Sequence, residues 1–162
     1  MRGMSDASAL LADVAALLRS PDTPWPALLE RVLRHFACPL GTIHVLAADG
    51  LMHLTTHRGL PPPVLDKVSV IPIGKGMAGL AAQRKQPVQV CNLQTDTSGV
   101  ARPDARLTKM EGSLAAPMLD GETLRGVFGI AKPVPYDFTV EETRQLMDVG
   151  AVIARWLSAQ AG

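Results

Sequence analysis

Apolar positions along the chain change period several times, and each change marks an element. Leu10, Leu11, Val14, Leu17 and Leu18 recur at helical spacing, and the segment stops at Ser20-Pro21 because proline cannot continue a helix. A second helix is expected from Asp22-Thr23-Pro24, where Thr23 can cap and Pro24 suits the first turn. Leu28, Leu29, Val32, Leu33 and Phe36 then form one face, and Cys38-Pro39-Leu40-Gly41 ends it. From Thr42 the period becomes two: Thr42–Leu46, a turn at Ala47-Ala48-Asp49-Gly50, and Leu51–His57 read as a β-hairpin.

Pro61-Pro62-Pro63 opens a connector with one helical turn through Val64 and Leu65, before the apolar run Val68–Ile73. Gly74–Gln83 is a glycine turn feeding a short helix, and Pro87–Cys91 reads as a strand. Residues 92–109 are polar and include Arg102, Arg106 and Lys109, a long loop of the kind that carries function. Ser113–Leu119 and Thr123–Ala131 flank Asp120-Gly121-Glu122 as a second hairpin. Thr139-Val140-Glu141-Glu142 is a capping box opening a long helix through Leu146, Val149, Ile153, Trp156 and Leu157. This order predicts an α+β fold with a largely antiparallel sheet, terminal helices on one face, and a small cavity under the short segments on the other. The expected organisation is an N-terminal helix at 1–20 and a domain at 21–162, a single domain overall.

Composition narrows the function. The 162 residues carry 16 Lys plus Arg against 15 Asp plus Glu, with 4% aromatics, so neither a basic stripe nor stacking rings are on offer and nucleic-acid binding is disfavoured. No apolar run reaches the roughly 18 residues of a membrane span, and charges interrupt the apolar stretch of the N-terminus, so a cytoplasmic protein with no membrane partner is expected. Cys38 and Cys91 cannot build a disulfide framework and lack zinc-type neighbours. Cys38 reads as a small core residue, and Cys91, where a strand enters the loop, as the more exposed thiol.

Gly74-x-Gly76-x-x-Gly79 formally satisfies the dinucleotide fingerprint, but Pro72 is out of place in the central parallel strand that motif requires, and a hairpin precedes it. What survives is a helix N-terminus whose amides at Met77, Ala78 and Gly79 could hold a carboxylate or phosphate. His44, His53 and His57 lie on the first hairpin, and an even-length turn would place all three on one face with Thr42 and Thr55. His53 and His57 are about 13 Å apart by strand rise, too far to close on one zinc without strain. Arg102 and Arg106, if functional, would form a mobile basic lid selecting an anion. Glu141 and Glu142 are explained by the helix start and are not an acid/base pair.

Four runs in order carry a resemblance: Gly41–Leu46 before the hairpin, Arg58-Gly59-Leu60 after it, Ile71–Gly79 at the glycine turn, and Ser113–Leu119 followed by Gly126–Ile130. Together they are similar to the GAF domain, the small sensor module of cyclic-nucleotide phosphodiesterases, bacterial adenylyl cyclases and formate-hydrogenlyase-type transcriptional activators. The resemblance implies a six-stranded antiparallel sheet between helices and a role in binding a small molecule or partner to control an output domain. It also implies that Thr42, Thr56, Met77 and Ala78 match positions lining a ligand cavity, although Thr56 conflicts with the simple alternation unless a bulge intervenes. One subgroup, the free methionine sulfoxide reductases, carries a catalytic cysteine inside the glycine turn, where this chain has Ala78. Bilin attachment is poorly supported, because no cysteine follows Cys91.

The expected site therefore comprises Thr42, His44, Thr56, Met77, Ala78, Gly79, Arg102 and Arg106, taking a small polar or anionic ligand whose identity, like that of any cofactor, the residues do not specify. A homodimer through the terminal helices is expected, because their apolar stripes are wider than one sheet face can bury. Three functions stand open: a non-catalytic sensor or regulatory module, a thiol-dependent reductase, and a dimerisation scaffold without a ligand.

Overall fold

The alternating segments do assemble into one sheet. In the computed structural model, which describes residues 5–22 and 24–161, β1 (Leu40–Leu46), β2 (Leu51–Arg58), β3 (Val70–Pro72), β4 (Val88–Val90), β5 (Gly112–Asp120) and β6 (Thr123–Lys132) lie in the order β3-β2-β1-β6-β5-β4. Every neighbouring pair is antiparallel. The two long hairpins supply the four central strands, while the edges are only three residues long, which limits the unpaired backbone offered to other chains.

Three helices cover one face: α1 (Asp6–Leu18), α2 (Trp25–Phe36) and α5 (Val140–Ala161). Leu10, Val14, Leu28, Leu146, Val149 and Ile153 are fully buried there with Ile43, Phe128 and Ile130 of the sheet. Each such side chain contributes roughly 1.5–3 kcal/mol on burial, so this layer dominates the stability of the fold. The capping box forms as the sequence predicts: Thr139 N–H donates to Glu142 Oε1 (2.9 Å) and Glu142 N–H to Thr139 Oγ1 (3.0 Å). At α2 the expected cap, Thr23, lies outside the described residues. Pro24 stands just before the helix rather than in its first turn, and Pro26 takes the first-turn place.

The opposite face carries α3 (Pro62–Val68), α4 (Gly76–Arg84) and residues 92–109. Ala81 and Ala82 of α4 pack on Met52, Val88, Ala115 and Val127 to make a smaller second core. Val68 ends α3 rather than opening the next strand, so β3 is shorter than the apolar run suggests. The polar stretch is not featureless either: Pro103–Thr108 forms a 3-10 helix, pinned where the Gln94 amide donates to the carbonyls of Arg106 (3.1 Å) and Met110 (2.8 Å).

The first hairpin departs from the even-turn expectation. Ala47 N–H bonds Leu51 O (2.9 Å), so the turn proper holds three residues, ending on Gly50 at φ +81°, and Val45 faces His53 across the ladder. Thr55 is then an extra residue: Ile43 pairs with Thr56 but His44 with Leu54. The three histidines consequently do not share a face. His44 and His57 lie on the α4 side, whereas His53 is on the other, bonded to Asp49 Oδ2 at 2.8 Å. The same bulge sends Thr56 to the helix side with Ile43 and leaves Thr55 unpaired, so neither sits beside Thr42.

Candidate functional site

On the α4 side, between the sheet, α3, the start of α4 and the 3-10 helix, lies a cavity of about 170 Å³. The sheet supplies its floor through Leu40, Thr42 and His44 of β1, Ser113 and Ala115 of β5, and Ala131 of β6. Those residues reach the same side because β1, β5 and β6 are in register: Thr42 faces Gly129, which in turn faces Ala115, and Leu40 faces Ala131. Gly129 has no side chain, which leaves room above the floor; a Cβ there would come within 2.9 Å of Thr42 Oγ1.

Of the residues expected from sequence, Thr42, His44, Met77, Ala78 and Arg102 converge on this cavity. Thr56, Gly79 and Arg106 do not line it. Thr56 is carried away by the bulge. Gly79 instead makes a close backbone approach, since a Cβ there would sit 2.7 Å from Pro72 O, and its N–H bonds Lys75 O (3.1 Å) and is not free for an anion. Arg106 turns its guanidinium to the carbonyl of Asp96 (3.2 Å), and Lys109 also lies outside the lining, so the basic lid reduces to Arg102.

The structure adds residues that the sequence pattern did not mark. Lys67, Lys75 and Asp104 line the cavity, and Lys67 Nζ meets Asp104 Oδ1 at 3.0 Å, tying α3 to the 3-10 helix over the floor. An intermittent charged residue in α3 or in a glycine turn gives no periodic signal, and only the tertiary fold brings these together. Among the described residues Lys75 and Arg102 have no ion-pair partner. The stem of Arg102 lies over the start of α4, its Cγ 3.2 Å from where a Cβ on Gly76 would be.

Among the described residues His44 is the one buried polar side chain of the core, 2% exposed. Its Nε2 donates to Val68 O at 2.7 Å, leaving Nδ1 without a partner. Burial holds its pKa below the ordinary histidine value, and the Val68 bond opposes only part of that, so the neutral ring is favoured. The cysteines stand apart from this site. Cys38 is buried against Phe36 O, and desolvation pushes its thiol up to about 11. Cys91 is exposed, with its pKa raised by desolvation and by the adjoining Asp137 carboxylate. Neither environment favours a thiolate, and neither side chain lines the cavity.

The architecture has solved counterparts. The GAF domain of an Acinetobacter phosphoenolpyruvate-protein phosphotransferase is similar at TM-score 0.79 and 18% identity, over 98% of this chain and 96% of that one. The corresponding domain of a Coxiella burnetii phosphoenolpyruvate-protein phosphotransferase gives TM-score 0.79 and 18% identity, over 97% of each chain. Free methionine-R-sulfoxide reductase from Neisseria meningitidis, in complex with its substrate, gives TM-score 0.72 and 14% identity, over 100% of this chain and 97% of that one. Such identities establish the fold and no more. No curated protein matches the chain. Among the described residues, no helix is long and apolar enough to cross a membrane. The family model for the GAF domain matches residues 22–158, which span β1 to β6 and every wall of the cavity, and the chain belongs to the GAF domain family.

Proposed function

We propose that the protein is a non-catalytic GAF module that binds a small polar or anionic molecule in the cavity and transmits its presence to a partner. The observation that carries this reading is the convergence of Thr42, His44, Met77, Ala78 and Arg102, drawn from three separate segments, on one cavity of about 170 Å³. Lining made mostly of apolar side chains with a few placed polar groups is the usual construction of a small-molecule site. Binding there would couple α3, α4 and the 3-10 helix, since all three contribute walls. Native mass spectrometry of the protein as purified tests the reading: a mass increment that disappears on denaturation supports it, and a bare polypeptide that no metabolite stabilises opposes it.

A reductase reading draws on the methionine sulfoxide reductases among the structural counterparts. It fits the chemistry of this chain less well. A thiol reductase needs a reactive thiolate at the substrate, whereas Ala78 occupies the glycine-turn place at the cavity and both thiols have raised pKa values. We also place a homodimer contact on the terminal helices. Leu11, Leu17, Met147, Val152, Trp156 and Leu157 are only partly buried against the monomer core, and a second copy would cover the remainder.

A further inference from the structure

We infer that the ligand is a small aliphatic monocarboxylate, its carboxylate held at the start of α4 by Lys75 and Arg102 and its hydrocarbon part on the sheet floor. This rests on the cavity reading above and specifies the class of molecule the cavity takes. Three independent observations carry it.

The start of α4 is electrostatically incomplete. Its N-cap residue is Lys75, no side chain caps it, and its first turn holds no acidic residue. A helix N-terminus carries roughly half a positive charge, so a lysine there is the wrong sign and an anion the right one. Arg102 adds a second cation directly over Gly76. The lining has a single acidic residue, Asp104, and it is already paired with Lys67. Two cations thus line the cavity at an uncapped helix start, with no unpaired acidic side chain in the lining to balance them.

Size sets the second limit. A cavity of about 150 Å³ takes one benzene-sized molecule, so about 170 Å³ suits a ligand of roughly seven non-hydrogen atoms. A nucleotide or a tetrapyrrole is far larger.

The third limit is the wall. Leu40, Val64, Ile71, Leu93, Ala115 and Ala131 present aliphatic surface, and among the described residues no Phe, Tyr or Trp lines the cavity, its one ring being the His44 imidazole. A flat heteroaromatic ligand would find little to stack on, whereas a short alkyl chain would lie against aliphatic side chains. Charge at one end and aliphatic surface at the other together describe a short-chain carboxylate better than an inorganic or sugar phosphate.

Isocaproate, isocaproamide and isobutyl phosphate, titrated calorimetrically into the wild type, Lys75→Gln and Arg102→Gln, test the class. Isocaproate should bind saturably, with an affinity that falls as salt rises, and the neutral amide should bind at least about tenfold more weakly. Each substitution should weaken isocaproate by about tenfold, the scale of one charge-assisted hydrogen bond, without altering the amide. Both side chains are exposed, so the variants should fold as the wild type does. Amide binding equal to the acid, preference for the phosphate, or isocaproate affinity unmoved in both variants would overturn the carboxylate class while leaving the cavity reading intact. If no probe binds, the class is again overturned, and the native mass of the purified protein judges the cavity reading separately.

Discussion

His44 on β1 and Val68 at the end of α3 are joined by a hydrogen bond of 2.7 Å, which fastens a covering segment of the cavity to its floor. The donor is Nε2, so the bond persists in the neutral ring, and the unpartnered Nδ1 is where a proton would have to be added, inside the protein. Burial lowers the pKa from the ordinary 6.5, and the carbonyl of Val68 raises it in part. The unfolded chain therefore binds a proton at His44 at a higher pH than the folded protein does. This contribution to stability is complete above 6.5 and declines as pH falls from there to the folded pKa. Urea unfolding across this range should show the decline, at no more than about 1.4 kcal/mol per pH unit for the one proton, and His44→Leu should flatten it. An unchanged slope in the variant would mean that His44 is not the group responsible.

Gly76 makes a second test of the covering layer. It has φ +67°, where an alanine costs about 1–2 kcal/mol, and its missing Cβ makes room for the stem of Arg102. Gly76→Ala should lower the unfolding free energy by that amount, seen as a lower urea midpoint, and weaken binding of an anionic ligand in the same protein. A midpoint equal to wild type would show that the turn relaxes without cost.

Much of this fold was legible because the sequence changes period where the structure changes element. The helix stripes of Leu10–Leu18 and Leu146–Leu157, the alternation on both long hairpins and the Thr139–Glu142 box all signal locally what they become. Thr42, His44, Met77, Ala78 and Arg102 could be found for the same reason, lying on a strand, a glycine turn and a polar loop of recognisable type. The hairpin parity could not, because neither a three-residue turn nor a bulge alters composition; the turn sends His53 to the helix side, and Thr55, as polar as its neighbours, does the same to Thr56. Lys67, Lys75 and Asp104 were hidden for a different reason. The Lys67–Asp104 pair joins residues 37 positions apart, and Lys75 is a single charge in a glycine turn, so nothing local announces any of the three.

Thiol chemistry separates the regulatory from the reductase reading. Iodoacetamide should modify Cys91 in the folded protein and Cys38 only after unfolding, since Cys91 is exposed and Cys38 is buried with a thiol near 11. Alkylated protein should bind its ligand as before, because Cys91 lies outside the cavity lining. Loss of binding or of a reductase activity on alkylation would contradict this assignment.

The terminal-helix contact predicts a concentration-dependent mass. Light scattering should approach twice the 17.2 kDa of one chain, and Leu17→Glu should return it to the monomer value with little change in unfolding temperature, because Leu17 is only partly buried. Ile153→Glu should instead unfold the protein, since that side chain is fully buried within one chain and a carboxylate there would have no partner. A wild type that stays at the monomer mass up to high micromolar concentration would remove the dimer.

The central claim is that the cavity beneath α4 takes a small molecule, and the unfolding temperature of wild type and Ala78→Leu across a set of small metabolites tests it most directly. Ala78 lines the cavity and is helical, so leucine there fills space at little cost in helix propensity. A ligand at about a hundred times its dissociation constant adds about 2.7 kcal/mol, or roughly 5–10 °C for a chain of this size. The account predicts a saturable rise of that order in the wild type for at least one compound, short-chain carboxylates first among them, and its loss in Ala78→Leu. No rise with any compound, or an equal rise in both proteins, would contradict it.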